Sequence, residues 1–105
     1  MSKKIFIVYG HHDIKKSFNA SVRDTFIEEA KKLGYQIDLI NLHEEKPIPF
    51  FDGSGPNEQI LDYRKRLEAS DVLFMISPCY NLRATAILEN WIDLTLAPKW
   101  FFSFK

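Results

Sequence analysis

Two short stretches hold the residue types from which chemistry could be built. The first, Gly10-His-His-Asp-Ile-Lys-Lys-Ser-Phe-Asn19, leads from the apolar run Lys4–Tyr9 into an amphipathic segment. A strand end that feeds a helix start presents unpaired backbone N–H groups under the positive end of the helix dipole, and both favour an anion. Ser17 and Asn19 add side-chain donors and His12 or Lys16 adds charge, so a phosphate is one natural guest. The other reading is that Ser17 only caps the helix while the histidines are solvated. The spacing matches neither GxGxxG nor a Walker A loop. The second stretch is Ser77-Pro-Cys-Tyr-Asn-Leu-Arg83. Pro78 ends the preceding apolar run, Tyr80 and Leu82 offer flat or apolar surface, and Asn81 offers an amide to ring heteroatoms. Such a loop suits the edge and face of a planar ring, or else it is a tight turn whose Asn81 starts the next helix.

Other candidates carry less. His11, His12 and Asp13 are adjacent and rarely could face one ion, and no further His or Cys has ligand spacing, so no metal is expected. His43 sits at another strand end with no evident partner. Cys79 has only His11 and His12 as nearby bases, and no nucleophile–base arrangement can be assembled around it. Glu28/Glu29, Glu44/Glu45, Lys15/Lys16 and Lys31/Lys32 read as solvated surface.

The elements that position these stretches follow from periodicity. Lys4–Tyr9 is continuously apolar up to Gly10, as in a strand covered on both faces. Phe18, Val22, Phe26, Ala30 and Leu33 recur at helical spacing, between Ser17 as N-cap and Gly34 as stop. Tyr35–Leu42 alternates and reads as a second strand, a candidate for a sheet edge. His43–Asn57, rich in Pro and Gly, reads as a surface loop with Ile48, Phe50 and Phe51 turned inward. Glu58–Ala69 is an amphipathic helix whose face carries Ile60, Leu61, Tyr63, Arg64 and Leu67. Asp71–Ser77 reads as a third buried strand, and Thr85–Leu96 as a helix apolar nearly all round, ended by Pro98. The order β-α-β-α-β-α predicts parallel strands joined by right-handed crossovers. With strand order beginning 2-1-3, the ligand crevice lies between the loops after strands one and three, which are the two stretches above.

These residues together resemble the flavodoxin-like NAD(P)H:quinone reductases and the related NAD(P)H-dependent FMN reductases, over Lys3 to Phe104. His12 and Ser17-Phe18-Asn19 match the family's strand-end histidine and Ser-Phe-Asn. Arg66–Pro78 looks like its acidic helix end, third strand and proline. Ala86-Ile-Leu-Glu-Asn-Trp-Ile-Asp93 and Pro98-Lys-Trp-Phe-Phe102 are similar to its next helix and to its Pro-Gly-Phe-Ala-Phe segment. Pro-x-Tyr-Asn at 78–81 is closer to the FMN-reductase branch, and Thr85, Glu89 and Lys99 stand where the family has proline, lysine and glycine. The resemblance implies a three-layer α/β sandwich, of which residues 1–105 form one domain, the N-terminal part of the fold without strands four and five. It implies a flavin, FMN or FAD, with its phosphate at His12, Ser17, Phe18 and Asn19 and its ring at Pro78, Cys79, Tyr80, Asn81 and Leu82. The implied reaction passes a hydride from NAD(P)H through the flavin to a quinone or similar acceptor. It rests on the cofactor, and no general acid or base is named. A homodimer is implied as well.

Composition narrows the remaining classes. With 105 residues, 46% hydrophobic and 27% charged, the chain is one globular domain with room for about three βα units and is not a disordered tail. A net charge of +0 gives no general attraction to nucleic acid or anionic membrane. No apolar run approaches the roughly 20 residues of a membrane span. The single cysteine and the lack of a signal-like N-terminus predict a cytoplasmic setting. A non-enzymatic truncated fragment, acting through self-association or a partner on the exposed edge of its third strand and its aromatic end, is the competing expectation. A one-electron flavodoxin-type carrier is disfavoured by the first loop and by the lack of acidic excess.

Overall fold

A computed structural model describes residues 3–13, 15–48, 56–79 and 84–96. The continuous apolar run becomes β1 (Lys4–Tyr9), the centre of a parallel sheet ordered β2 (Gln36–Asn41), β1, β3 (Val72–Ile76). Ile7 pairs in register with Leu39 on one side and Phe74 on the other. Side chains of β1 alternate between two apolar layers, as strand geometry requires. Phe6 and Val8 pack with Ile40, Leu42, Tyr63, Leu88 and Trp91, on the side of α3 (Glu58–Glu68) and α4 (Ala86–Thr95). Ile5, Ile7 and Tyr9 pack with Ala20, Ala30 and Ile76, on the side of α1 (Phe18–Lys32). The result is the expected α/β layering with a parallel sheet in the order 2-1-3.

Local signals set the helix ends. Ser17 caps α1 by accepting the Ala20 N–H at 3.0 Å, and Gly34 leaves it in the left-handed region at φ 87°. Asn57 caps α3 by accepting from Ile60 N at 2.9 Å. Arg64 donates to the Thr95 and Leu94 carbonyls, so the last turn of α4 is satisfied from α3. Among the described residues no helix is long and apolar enough to cross a membrane.

Three expectations need correction. The buried face of α1 holds Ala20, Arg23 and Ala30, with Phe26 and Ile27 packed against the same core. Phe18 is 80% and Leu33 77% exposed, so the spacing rule chose a stripe rotated away from the sheet at both ends. Arg23 can occupy the inner face because Tyr9 and Asn41 meet its guanidinium. β3 is not a buried strand: Val72 is 44% and Met75 40% exposed, because no described strand pairs with its outer edge. The stretch read as a loop from His43 begins inside a one-turn helix, α2 (Leu42–Glu45), which seats Leu42 in the core. Ile48 is partly exposed, and Phe50, Phe51 and the aromatic segment from Pro98 lie outside the described residues.

One ion pair ties the layers together. Arg66 of α3 grips Asp38 of β2 with two hydrogen bonds, Nε to Oδ2 at 2.9 Å and Nη2 to Oδ1 at 2.6 Å. The guanidinium also lies 5.5 Å from the Phe6 ring centroid. Both side chains are largely covered, so the pair is screened less than a surface pair. The Arg66 hydrogen bonds hold the Asp38 carboxyl below its ordinary value of 3.8. A depressed folded-state pKa means the contribution is present above that ordinary value and is lost as pH falls through the depressed one. Asp38→Asn is expected to cost about 1–3 kcal/mol at neutral pH and to flatten the acid loss of stability. Urea unfolding at neutral pH and near pH 3 measures both. Equal acid sensitivity in variant and wild type would place that linkage in other groups.

Candidate functional site

The two stretches singled out by sequence leave the carboxyl ends of the neighbouring strands β1 and β3, and Gly10 of the first bonds to Ile76 and Thr85, which flank the second. The Gly10 N–H donates to the Ile76 carbonyl at 2.8 Å, which extends the β1–β3 ladder one step into the first loop. The Thr85 hydroxyl donates to the Gly10 carbonyl at 2.7 Å in a buried position. The approach is so close that a Cβ on Gly10 would lie 2.9 Å from Leu88 Cβ and 3.1 Å from Thr85 Oγ1. Gly10 therefore does more than end a strand: only a residue without a side chain lets α4 pack here.

Beyond Gly10 the first loop is held by its own side chains. The Asp13 N–H donates to His11 Nδ1 at 2.9 Å, which ties the ring to the loop backbone. Asp13 Oδ1 accepts the N–H groups of Lys16 at 2.8 Å and Lys15 at 3.0 Å. Those two amides, Lys16 first, hold the Asp13 carboxyl below its ordinary value. The Tyr9 hydroxyl donates to the Asp13 carbonyl at 2.8 Å, and the Ser17 hydroxyl does so at 3.1 Å. These hydroxyls are themselves 2.8 Å apart, and Ser17 Oγ also accepts the Ala20 N–H. Beneath them Arg23, only 7% exposed, places its guanidinium 4.6 Å from the Tyr9 ring centroid and donates to Asn41 Oδ1 at 2.9 Å. Asn41 in turn donates to Glu44 at 2.9 Å, so the ends of β1 and β2 and the start of α1 share one polar network.

The consequence for Ser17 is definite. Its hydroxyl is spent inside the protein as cap and loop brace. What remains for an anion is the pair of first-turn N–H groups of Phe18 and Asn19, which have no intrahelical acceptor. His12 is exposed, with its ring 4.4 Å from that of His11. His43 has a partner after all: its ring centroid is 6.5 Å from that of His12, because β1 and β2 end side by side. Burial, then His12 and His11, hold His43 below its ordinary 6.5, so it is neutral at pH 7. Among the described residues no group of His, Cys, Asp or Glu is arranged to hold a metal.

On the second loop, Pro78 is half-buried and Cys79 exposed, just beyond β3. Tyr80, Asn81 and Leu82 lie outside the described residues. Sequence reasoning missed Tyr9, Arg23 and Thr85 as parts of the site. The available signals were a hydroxyl at the last position of β1, a cation on an inner helix face, and a small polar residue directly before α4. An apolar cavity of about 350 Å³, lined in part by Ile5, Phe26, Leu33, Tyr35 and Val72, lies at the opposite end of the sheet, away from every group above.

The sequence profile of a family described as flavodoxin-like fold matches residues 3–105. This chain belongs to that family. Among curated relatives, the ribosyldihydronicotinamide dehydrogenase (quinone) of Rattus norvegicus is 25% identical over 119 residues, spanning 90% of this chain and 51% of that protein. The FMN-dependent NADH:quinone oxidoreductase of Mycoplasma mobile is 30% identical over 100 residues, 85% of this chain and 48% of that protein. Among solved structures, the NAD(P)H:quinone oxidoreductase from Methanothermobacter marburgensis superposes with a TM-score of 0.83 at 21% identity, covering 90% of this chain and 53% of that one. Smu.1420 from Streptococcus mutans gives 0.76 at 26% identity, covering 89% and 53%. The flavodoxin-like chain therefore spans about half the length of these relatives.

The packing at Gly10 makes a direct prediction. Leu88 Cβ belongs to a helix backbone that cannot swing aside, so Gly10→Ala should cost about 1–3 kcal/mol of stability. Thermal unfolding checks it, and wild-type stability in the variant would show that α4 has room to shift away from Gly10.

Proposed function

We propose that this chain holds FMN between the loops at the carboxyl ends of β1 and β3 and works as an NADH:quinone oxidoreductase, with residues 1–105 as one domain corresponding to the N-terminal part of the family fold. The observation that carries the reading is Gly10, at the start of the first loop, bonded to Ile76 and Thr85 on either side of the second, with the first-turn Phe18 and Asn19 N–H groups at the other end of the first loop. A phosphate at those amides fits the positive end of α1, a helix of 15 residues. His12, exposed at the same end, supplies a ring N–H or a charge, and Ser17 holds the turn that aims the amides. Pro78, Cys79, Tyr80, Asn81 and Leu82 are the proposed ring contacts. FMN is favoured over FAD because the relatives whose names carry a cofactor name FMN. NADH and a quinone-like acceptor are favoured on the same ground.

When bound, FMN supplies the two-electron chemistry, in which NADH is oxidised to NAD⁺ and quinone takes up two electrons and two protons to become hydroquinone. The protein's part is to fix the phosphate with backbone donors, to hold the first loop rigid through the Tyr9–Asp13–Ser17 hydrogen bonds, and to present the ring-side loop at a set distance. No side chain is assigned as acid or base. A homodimer is the assembly this reading carries with it.

A second reading is favoured by β3, whose outer edge has exposed Val72 and Met75. It makes the chain an interaction module that covers this edge with a second copy or a partner. One experiment separates the two. The chain should quench FMN fluorescence with 1:1 stoichiometry and then support FMN-dependent oxidation of NADH by a quinone. Absence of quenching with FMN in large excess, together with a mass that rises with concentration in light scattering, would reject the FMN reading and favour the module.

A further inference from the structure

We propose that Thr85 is a positioning residue whose hydroxyl sets the separation between the phosphate-side and ring-side loops of the site. The inference rests on the FMN reading above and goes beyond it by assigning the spacing to one hydrogen bond. Thr85 holds the N-cap position directly before α4, but its side chain makes no bond to the helix amides. Its Oγ1–H is turned instead to the Gly10 carbonyl, 2.7 Å away and buried. Gly10 is the last residue held by the sheet, through its N–H to Ile76. Its carbonyl is the first group of the loop that ends in the Phe18 and Asn19 amides. Thr85 lies two residues beyond Arg83, where the ring-side stretch ends, and its own N–H approaches Ser77 Oγ, at the start of that stretch, at 3.5 Å, so one residue touches the base of the ring-side loop and the start of the other. Among the described residues this is the one side-chain hydrogen bond that joins the two loops.

The physical consequence is specific to a ligand that spans both loops. FMN gains affinity over its parts because binding one end holds the other at high effective concentration, and that gain depends on the fixed distance between the subsites. Riboflavin and inorganic phosphate each use one subsite and do not sense the spacing. Thr85→Val keeps the shape, removes the hydroxyl and leaves the buried Gly10 carbonyl unpaired. The other buried features of the joint, Gly10 against Leu88 and the Gly10–Ile76 bond, are untouched.

The test is titration of FMN, riboflavin and inorganic phosphate against the wild type, Thr85→Val and Thr85→Ser. Thr85→Val should bind FMN about tenfold more weakly, with riboflavin and phosphate unchanged, and Thr85→Ser, which retains the hydroxyl, should restore FMN affinity. Thr85→Ala takes the place of the valine variant if that protein does not fold. Unchanged FMN affinity without the hydroxyl would overturn the proposal, as would parallel loss of all three ligands, which marks a general structural role. A wild type that binds no FMN overturns the FMN reading itself, and this inference with it.

Discussion

The structure depends on burying β1 from both sides. Residues Ile5 to Tyr9 are apolar without interruption and are covered on both faces. A strand of that kind cannot be served by one helix layer, so α1 must lie on one face and α3 with α4 on the other. Parallel pairing with β2 and β3 then follows from the helical crossovers, and it places all three strand ends on one side of the molecule. Chemistry collects there because that is where the chain leaves the sheet with loops and helix starts rather than with a tight turn.

The same constraint explains where charge is tolerated inside. Arg66 reaches Asp38 across the α3 face and rests on Phe6, so a half-buried cation becomes a tie between layers. Arg23 does the equivalent on the α1 face, stacked on Tyr9 and bonded to Asn41. The two arginines differ in consequence. Arg66 holds the frame, whereas Arg23 supports the Tyr9 hydroxyl network that closes the first loop. The frame and the loop are therefore braced by separate polar contacts on opposite faces of one strand.

Much of this was legible in the residues. The apolar run of β1, the Ser17 cap, the Gly34 stop and the α3 segment depend on local pattern and appear where that pattern places them; the order 2-1-3 comes from the flavodoxin-like winding that the sequence resembles, and the sheet has it. The pattern failed where distance or context decides. A helical stripe that includes Phe18 and Leu33 is equally regular whichever face of the helix meets the sheet, and both side chains are exposed. The run Val72–Ile76 is as apolar at an edge as at a centre. His43 meets His12 only because two strands end together, and Thr85 reaches Gly10 across 75 positions of sequence. The first loop and its candidate anion-binding residues were readable, while the bond from Thr85 to Gly10 was not.

If one ligand site forms between the loops that leave β1 and β3, amide chemical-shift mapping of the isotopically labelled protein will show it. On addition of FMN the largest shifts are expected at Phe18, Asn19 and Cys79, with little change at Leu33, Tyr35 and Val72 around the cavity at the far end of the sheet. Shifts centred on that far cavity, or shifts at only one of the two loops, would contradict it.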